Sequence, residues 1–144
     1  MKRNRRRAQR GVTLIEMLVV VTIIGLFVAL VGPNLWKKAD TSRIVAARAQ
    51  IHGFMGALAN YKLDTGTFPT SEQGLQALRA KPADMTQWNG PYMDQDIPKD
   101  PWGRDYVYKY PGEHGDAPDI VCLGADGQPG GEGLNADIVS WKSQ

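Results

Sequence analysis

Arg10-Gly11-Val12-Thr13-Leu14-Ile15-Glu16 is the stretch on which the reading of this chain turns. Before it lie Lys2, Arg3, Arg5, Arg6 and Arg7, which with Arg10 make six basic residues and no acid in the first ten positions. After it, from Val12 to Leu35, Glu16 is the only formally charged side chain. Met17–Val31 is nearly continuous Leu, Val, Ile, Ala and Phe, interrupted by Thr22 and Gly25. Twenty-four helical residues rise about 36 Å, enough to cross a hydrocarbon core of about 30 Å. A basic cluster ahead of such a run stays cytoplasmic and sends the C-terminal part across the membrane. An ordinary secretory signal would carry a small-residue cleavage site after the apolar run. Val31-Gly32-Pro33 is a poor site of that kind. A permanent single-span anchor fits the hydrophobicity but gives no reason for Glu16. The paired arginines suggest a twin-arginine signal, yet this run is long and contains an acid.

A basic leader ending in Gly11, followed by an apolar span with glutamate at its fifth residue, resembles the class III signal of type IV pilins and pseudopilins. The resemblance implies a dedicated peptidase that cuts after Gly11 and methylates the new amine of Val12. The hydrophobic helix then stays in the mature protein. Where the family usually has phenylalanine, this chain has Val12. A carboxylate near an apolar interior is costly unless paired, and the amine at Val12 is an available partner for Glu16. Along one helix the two are four residues apart. Between staggered helices the same pair would set the register of a polymer, which the resemblance favours. A carboxylate snorkelling to the headgroups is the plainer alternative. Gly32-Pro33 predicts a kink or locally melted stretch, because proline removes a backbone donor and clashes with the preceding turn. Pilins commonly carry a proline at this depth. The same residue also suits the end of the membrane span.

Beyond Pro33 the pattern turns amphipathic. Ile44, Ala47, Ile51, Phe54, Leu58 and Tyr61 recur at three- and four-residue spacing, one apolar helical face. Lys38, Asp40, Arg43, Arg48, Gln50 and Asn60 fall largely on the other side. Gly53 and Gly56 weaken the helix but would let a sheet pack closely. The helix should end near Asp64-Thr65-Gly66, where glycine can cap it. Continuous from Thr13, it would hold about fifty residues and span about 75 Å. His52 reads as a packing or surface residue. Thr70-Ser71-Glu72-Gln73 offers a helix start, with Leu75 and Leu78 in a short helix that stops before Pro82. Tyr106–Tyr110, Asp119–Leu123 and Ile138–Trp141 are short strand candidates with glycine-rich connections. The expectation is an α+β fold of pilin-like architecture: a long N-terminal helix packed against a small head with a short helix and a small antiparallel sheet. Its segments are a leader at 1–11, a membrane and assembly helix at 12–35, an amphipathic half at 36–64, and a loop-rich head at 65–144.

The overall charge of +2 conceals an asymmetry. Without residues 1–11 the chain has eleven basic against fifteen acidic residues, a net of −4. Overall charge therefore gives no support to nucleic-acid binding. Cys122, the single cysteine, cannot form an internal disulfide and reads as a small buried hydrophobe.

Five motifs occur in order: Tyr61-Lys62-Leu63-Asp64, Phe68-Pro69-Thr70, Glu72-Gln73-Gly74-Leu75-Gln76-Ala77-Leu78, Asp100-Pro101-Trp102-Gly103 and Leu123-Gly124-Ala125-Asp126-Gly127. Together they resemble the major pseudopilins of the type II secretion system, over essentially the whole chain. That family implies a structural subunit of a periplasmic helical homopolymer that drives export of folded proteins. Its implied partners are copies of itself, minor pseudopilins, the prepilin peptidase and an inner-membrane assembly platform, with the outer-membrane secretin as a further candidate. The alternative is a pilin of a related type IV pilus or DNA-uptake machine, although adhesion and motility pilins typically close their C-terminal region with a disulfide. A monomeric, membrane-anchored calcium-binding protein is a further reading.

Loop 123–137 supplies oxygen donors in Asp126, Glu132, Asn135 and Asp137, with free carbonyls between glycines. Such a set suits a hard cation such as calcium, and equally a turn-rich connection. Major pseudopilins bind calcium in the matching loop, which implies Asp126 and Asp137 first, the Leu123 carbonyl next, then Glu132 and Asn135. His114 with Asp116 or Asp119, and Cys122 as nucleophile, are the residues an enzyme reading would need. None sits in a recognised catalytic context.

Overall fold

The structure is a computed structural model that describes residues 12–142, the side chains of 32–39 excepted. One helix, α1 (Leu14–Thr65), carries 52 residues. The chain falls into two compact units, divided between Lys38 and Ala39.

In the first unit, α1 starts on a side-chain cap. The Glu16 N–H donates to Thr13 Oγ1 at 3.3 Å, and the Glu16 and Met17 N–H groups reach the Thr13 carbonyl at 3.1 and 3.2 Å. Thr-Leu-Ile-Glu therefore places Glu16 at the third helical position, where an acid also faces the positive end of the helix dipole. Thr22 donates its hydroxyl to the Leu18 carbonyl at 2.7 Å, so this polar group needs no partner outside the helix. Every residue from Val12 to Val31 is exposed. Leu14–Val31 is long and apolar enough to cross a membrane. Helical backbone continues through Gly32 and Pro33, so the expected local melting is absent from the single chain.

In the second unit, α1 buries one face. Ala47, Ile51, Phe54, Ala57, Leu58 and Tyr61 are buried, with Ile44 partly so, as the spacing requires. Against them pack Phe68, Leu75, Leu78, Tyr106, Ile120, Cys122 and Ile138. Phe54 meets Tyr106 edge-on at 5.0 Å between ring centres. Gln50, assigned to the polar face from sequence, instead accepts a hydrogen bond from the Tyr106 hydroxyl. Gly53 and Gly56 lie exposed with open space beside them, so they do not serve close packing. His52 is a surface residue. The helix ends where glycine adopts a φ of +82° at Gly66, whose N–H closes back on the Lys62 carbonyl at 2.8 Å.

Thr70 and Gln73 cap each other, side chain to backbone, at 3.0 and 3.2 Å. The turn they begin does not continue as an α-helix. Gly74 leaves helical space at φ +58°, and only a 3-10 turn, Leu75–Leu78, follows. The sheet is antiparallel in the order β1 (Val107–Lys109), β2 (Asp119–Cys122), β3 (Ile138–Val139). Its register pairs Tyr108 with Ile120 and Cys122 with Ile138. The central strand is the most buried, and its Cys122 and Ile120 are fully enclosed. A second 3-10 turn, Gly133–Asn135, lies in the connection from β2 to β3 and had no sequence signal.

Candidate assembly helix and cation loop

Two places collect the candidate residues. The first is the start of α1. Gly11 lies outside the described residues; Val12 precedes the helix and is exposed, and Glu16 sits at its capped end. The second is the connection from β2 to β3, where Leu123, Asp126, Glu132, Asn135 and Asp137 all fall.

This connection is folded tightly on itself. The Leu123 carbonyl accepts the Gly127 N–H at 3.0 Å, and the Ala125 N–H donates to the Leu134 carbonyl at 3.0 Å. A Cβ on Gly124 would lie 2.7 Å from the Asn135 carbonyl oxygen, and one on Gly131 only 2.5 Å from it. Both glycines have positive φ, so close approach and backbone shape each demand glycine there. Asp126 is exposed and its Oδ1 accepts the Gln128 N–H at 3.0 Å. Asp137 holds the Gly130 N–H on Oδ2 at 2.8 Å, while its Oδ1 is buried without a hydrogen-bond partner among the described residues. Glu132 and Asn135 are exposed.

An orphaned, buried carboxylate oxygen is costly, and a hard cation is one group that would offset it. The residues therefore fit calcium at Asp137. They do not form a cluster of three or more carboxylate, His or Cys ligands among the described residues, so carbonyls would have to supply much of any shell.

Asp100-Pro101-Trp102-Gly103 is one of the five sequence motifs. In the structure it is a closed turn. Asp100 Oδ1 accepts the Trp102 and Arg104 N–H groups at 2.9 and 2.8 Å, and the Gly103 N–H reaches the Asp100 carbonyl at 2.8 Å. Arg104 was missed altogether. Its guanidinium donates to the Gly124 and Ala125 carbonyls. No local pattern signals this contact, because twenty residues separate the partners.

The candidate catalytic groups have structural occupations. Burial pushes the Cys122 thiol up to about 11, and its Sγ lies 3.5 Å from Asp100 Oδ2 as a weak donor. His114 stacks on Trp141 at 3.7 Å between ring centres and meets Asp119 Oδ2 through Nδ1 at 2.8 Å. Burial alone would raise the Asp119 carboxyl, but hydrogen bonds from His114 and the Glu113 N–H outweigh it and hold the group below its ordinary value. Asp116 is exposed.

Residues 6–32 match the family model of the prokaryotic N-terminal methylation motif, and residues 34–141 match that of type II secretion system protein G. This chain belongs to the protein G family, the major pseudopilins. A type II secretion system core protein G of Vibrio cholerae is 46% identical over 144 residues, covering 96% of this chain and 95% of that relative. One from Pseudomonas aeruginosa is 42% identical over 139 residues, covering 94% and 97%. The crystal structure of the major pseudopilin from the type 2 secretion system of enterohaemorrhagic Escherichia coli is similar at a TM-score of 0.61 and 34% identity, covering 76% of this chain and 95% of that one. Like its family, this pseudopilin is a structural subunit and not an enzyme. The quoted motifs are joints of its head: Lys62 lies over the Phe68 ring at 4.6 Å, Asp64 accepts the Tyr92 hydroxyl at 2.8 Å, and the Pro69 carbonyl accepts that of Tyr108 at 2.8 Å.

Proposed function

We propose that this pseudopilin, cut after Gly11 and methylated on Val12, polymerises through the first half of α1 into a periplasmic pseudopilus that drives export of folded proteins. What supports this most is an eighteen-residue apolar helix, exposed on every side, that carries a single acid at its capped start. Before assembly the inner membrane would cover that surface, with the leader cytoplasmic and the head periplasmic. In the polymer, neighbouring copies would cover it instead. The amine of Val12 on one subunit would pair with Glu16 of another and fix the stagger. Pro33 is where the helix would yield on assembly, since no N–H is available there to hold the preceding turn. Prepilin peptidase, the assembly platform, minor pseudopilins and the secretin are the partners this role requires.

Calcium belongs to the same proposal. Asp137 and Asp126 would hold it with the Leu123 carbonyl, and Glu132 and Asn135 are the remaining candidates. A bound cation would tie the end of β2 to the start of β3 in a head with few strand hydrogen bonds. Because calcium is plentiful outside the cytoplasm, the head would reach its full stability only after translocation.

Mass spectrometry of the membrane-extracted chain tests the processing step. The expected mature protein begins at methylated Val12. A protein that keeps Met1, or begins after Gly32, contradicts the reading.

A further inference from the structure

Arg104 reaches the cation loop from a different part of the chain. Its Nη2 donates to the Gly124 carbonyl and its Nη1 to the Ala125 carbonyl, the latter at 3.4 Å. These two carbonyls stand between Leu123 and Asp126, two of the proposed calcium ligands. The approach is close enough that a Cβ on Gly127 would fall 2.7 Å from Nη1 and 3.0 Å from Cζ. On its other side the guanidinium faces Asp100, with Nε 3.7 Å from Oδ2. The Asp100 side chain is 1% exposed and that of Arg104 36%. Asp100 is itself fixed by the two backbone N–H groups of its turn and abuts the Cys122 thiol at the end of β2. A planar, forked donor suits two successive carbonyls in a way that a lysine ammonium does not. Asp100 also offsets a charge that would otherwise repel a divalent cation nearby.

We propose that Arg104 is a positioning residue of the cation loop. Its fork fixes the Gly124 and Ala125 carbonyls, and so shapes the stretch from Leu123 to Asp126 before calcium arrives. This rests on the calcium reading above. Ordering a glycine-rich backbone costs conformational entropy, and order supplied in advance is recovered as tighter binding.

Calorimetric titration of the full mature chain in detergent micelles with calcium chloride, well below its melting temperature, tests this. Near-UV circular dichroism of each variant confirms its fold. Arg104→Ala should weaken calcium binding by about tenfold or more, the scale of losing a residue that orients metal ligands. Arg104→Lys keeps the ion pair with Asp100 but loses the fork. It should melt within a few degrees of wild type in chelator and still bind calcium measurably more weakly. A purely structural Arg104 would give the opposite split, a lowered melting temperature in chelator with wild-type calcium affinity in the folded variants, and that overturns the proposal. Should Arg104→Ala not fold, wild-type affinity in Arg104→Lys overturns it alone. The wild-type titration is read separately: no calcium uptake there defeats the metal reading itself, and this proposal with it.

Discussion

Glu16 has one observed occupation and one proposed, and substitution can separate them. Its backbone N–H closes the Thr13 cap whatever side chain it carries. Only its carboxylate would answer the charge of the proposed methylated amine at Val12. Glu16→Gln keeps the size and hydrogen-bonding capacity and removes the charge; Glu16→Ala removes both. Both should insert into the membrane as well as wild type or better, because an ionised group leaves the apolar span. Both should assemble poorly, and membrane fractionation alongside recovery of sheared filaments measures the two effects separately. If glutamine assembles normally and alanine does not, hydrogen bonding rather than charge sets the register. Cys122 gives a second expectation at this scale. A fully buried thiol held up to about 11 stays protonated at neutral pH, so a maleimide should label the folded chain negligibly and the denatured chain fully, as intact mass would show.

Elements repeat their pattern in sequence, and that decides what could be read there. The buried stripe of α1 was legible because Ala47, Ile51, Phe54, Leu58 and Tyr61 recur at helical spacing. Its end was legible because Gly66 supplies the positive φ that a terminating helix uses. This makes a prediction: Gly66→Ala meets no steric obstacle but forces a left-handed backbone, and should cost about 1–2 kcal/mol, seen as a shift of the denaturation midpoint. Strands were found with ends one or two residues too long, since pairing stops where β1 and β3 lose their neighbours, not where apolar residues run out. The short helix expected after Thr70 forms only over Leu75–Leu78 and as a 3-10 turn, because the Gly74 backbone breaks off the turn that the reciprocal cap begins. Gly53 and Gly56 misled because small residues invite a packing argument whichever face they occupy. Within the loop, residue chemistry names Asp126, Glu132, Asn135 and Asp137 alike as oxygen donors, and only the family resemblance puts Asp126 and Asp137 first. The orphaned Oδ1 of Asp137 and the reach of Arg104 could not, because both depend on how distant segments meet.

At the scale of the whole chain, calcium should act as a ligand of the folded head. Binding only to the folded state stabilises by about 2.7 kcal/mol at a hundredfold excess over Kd. For a head of this size that is about 10–20 °C in melting temperature, at about 4–8 °C per kcal/mol. Asp126→Ala and Asp137→Ala should melt near the chelated wild type and respond little to added calcium, with magnesium a weaker substitute. His114→Ala, outside the loop, should lower the melting temperature equally with and without calcium. Its partner also sets a pH dependence. Asp119 titrates below its ordinary value in the folded head, so its contribution is complete above about pH 4 and is lost as pH falls through the lowered folded value. His114→Ala should flatten that acid limb in pH-dependent melts. Under the proposed function, calcium would make the head rigid outside the cytoplasm and copies of the same chain would cover the helix. Electron microscopy of sheared, purified filaments from cells carrying the secretion machinery, comparing wild type with Glu16→Ala, tests this most directly. Wild type should give filaments made of chains that begin at Val12, while Glu16→Ala remains in the membrane fraction without filaments. Wild-type protein that never assembles, or Glu16→Ala filaments at wild-type abundance, would contradict it.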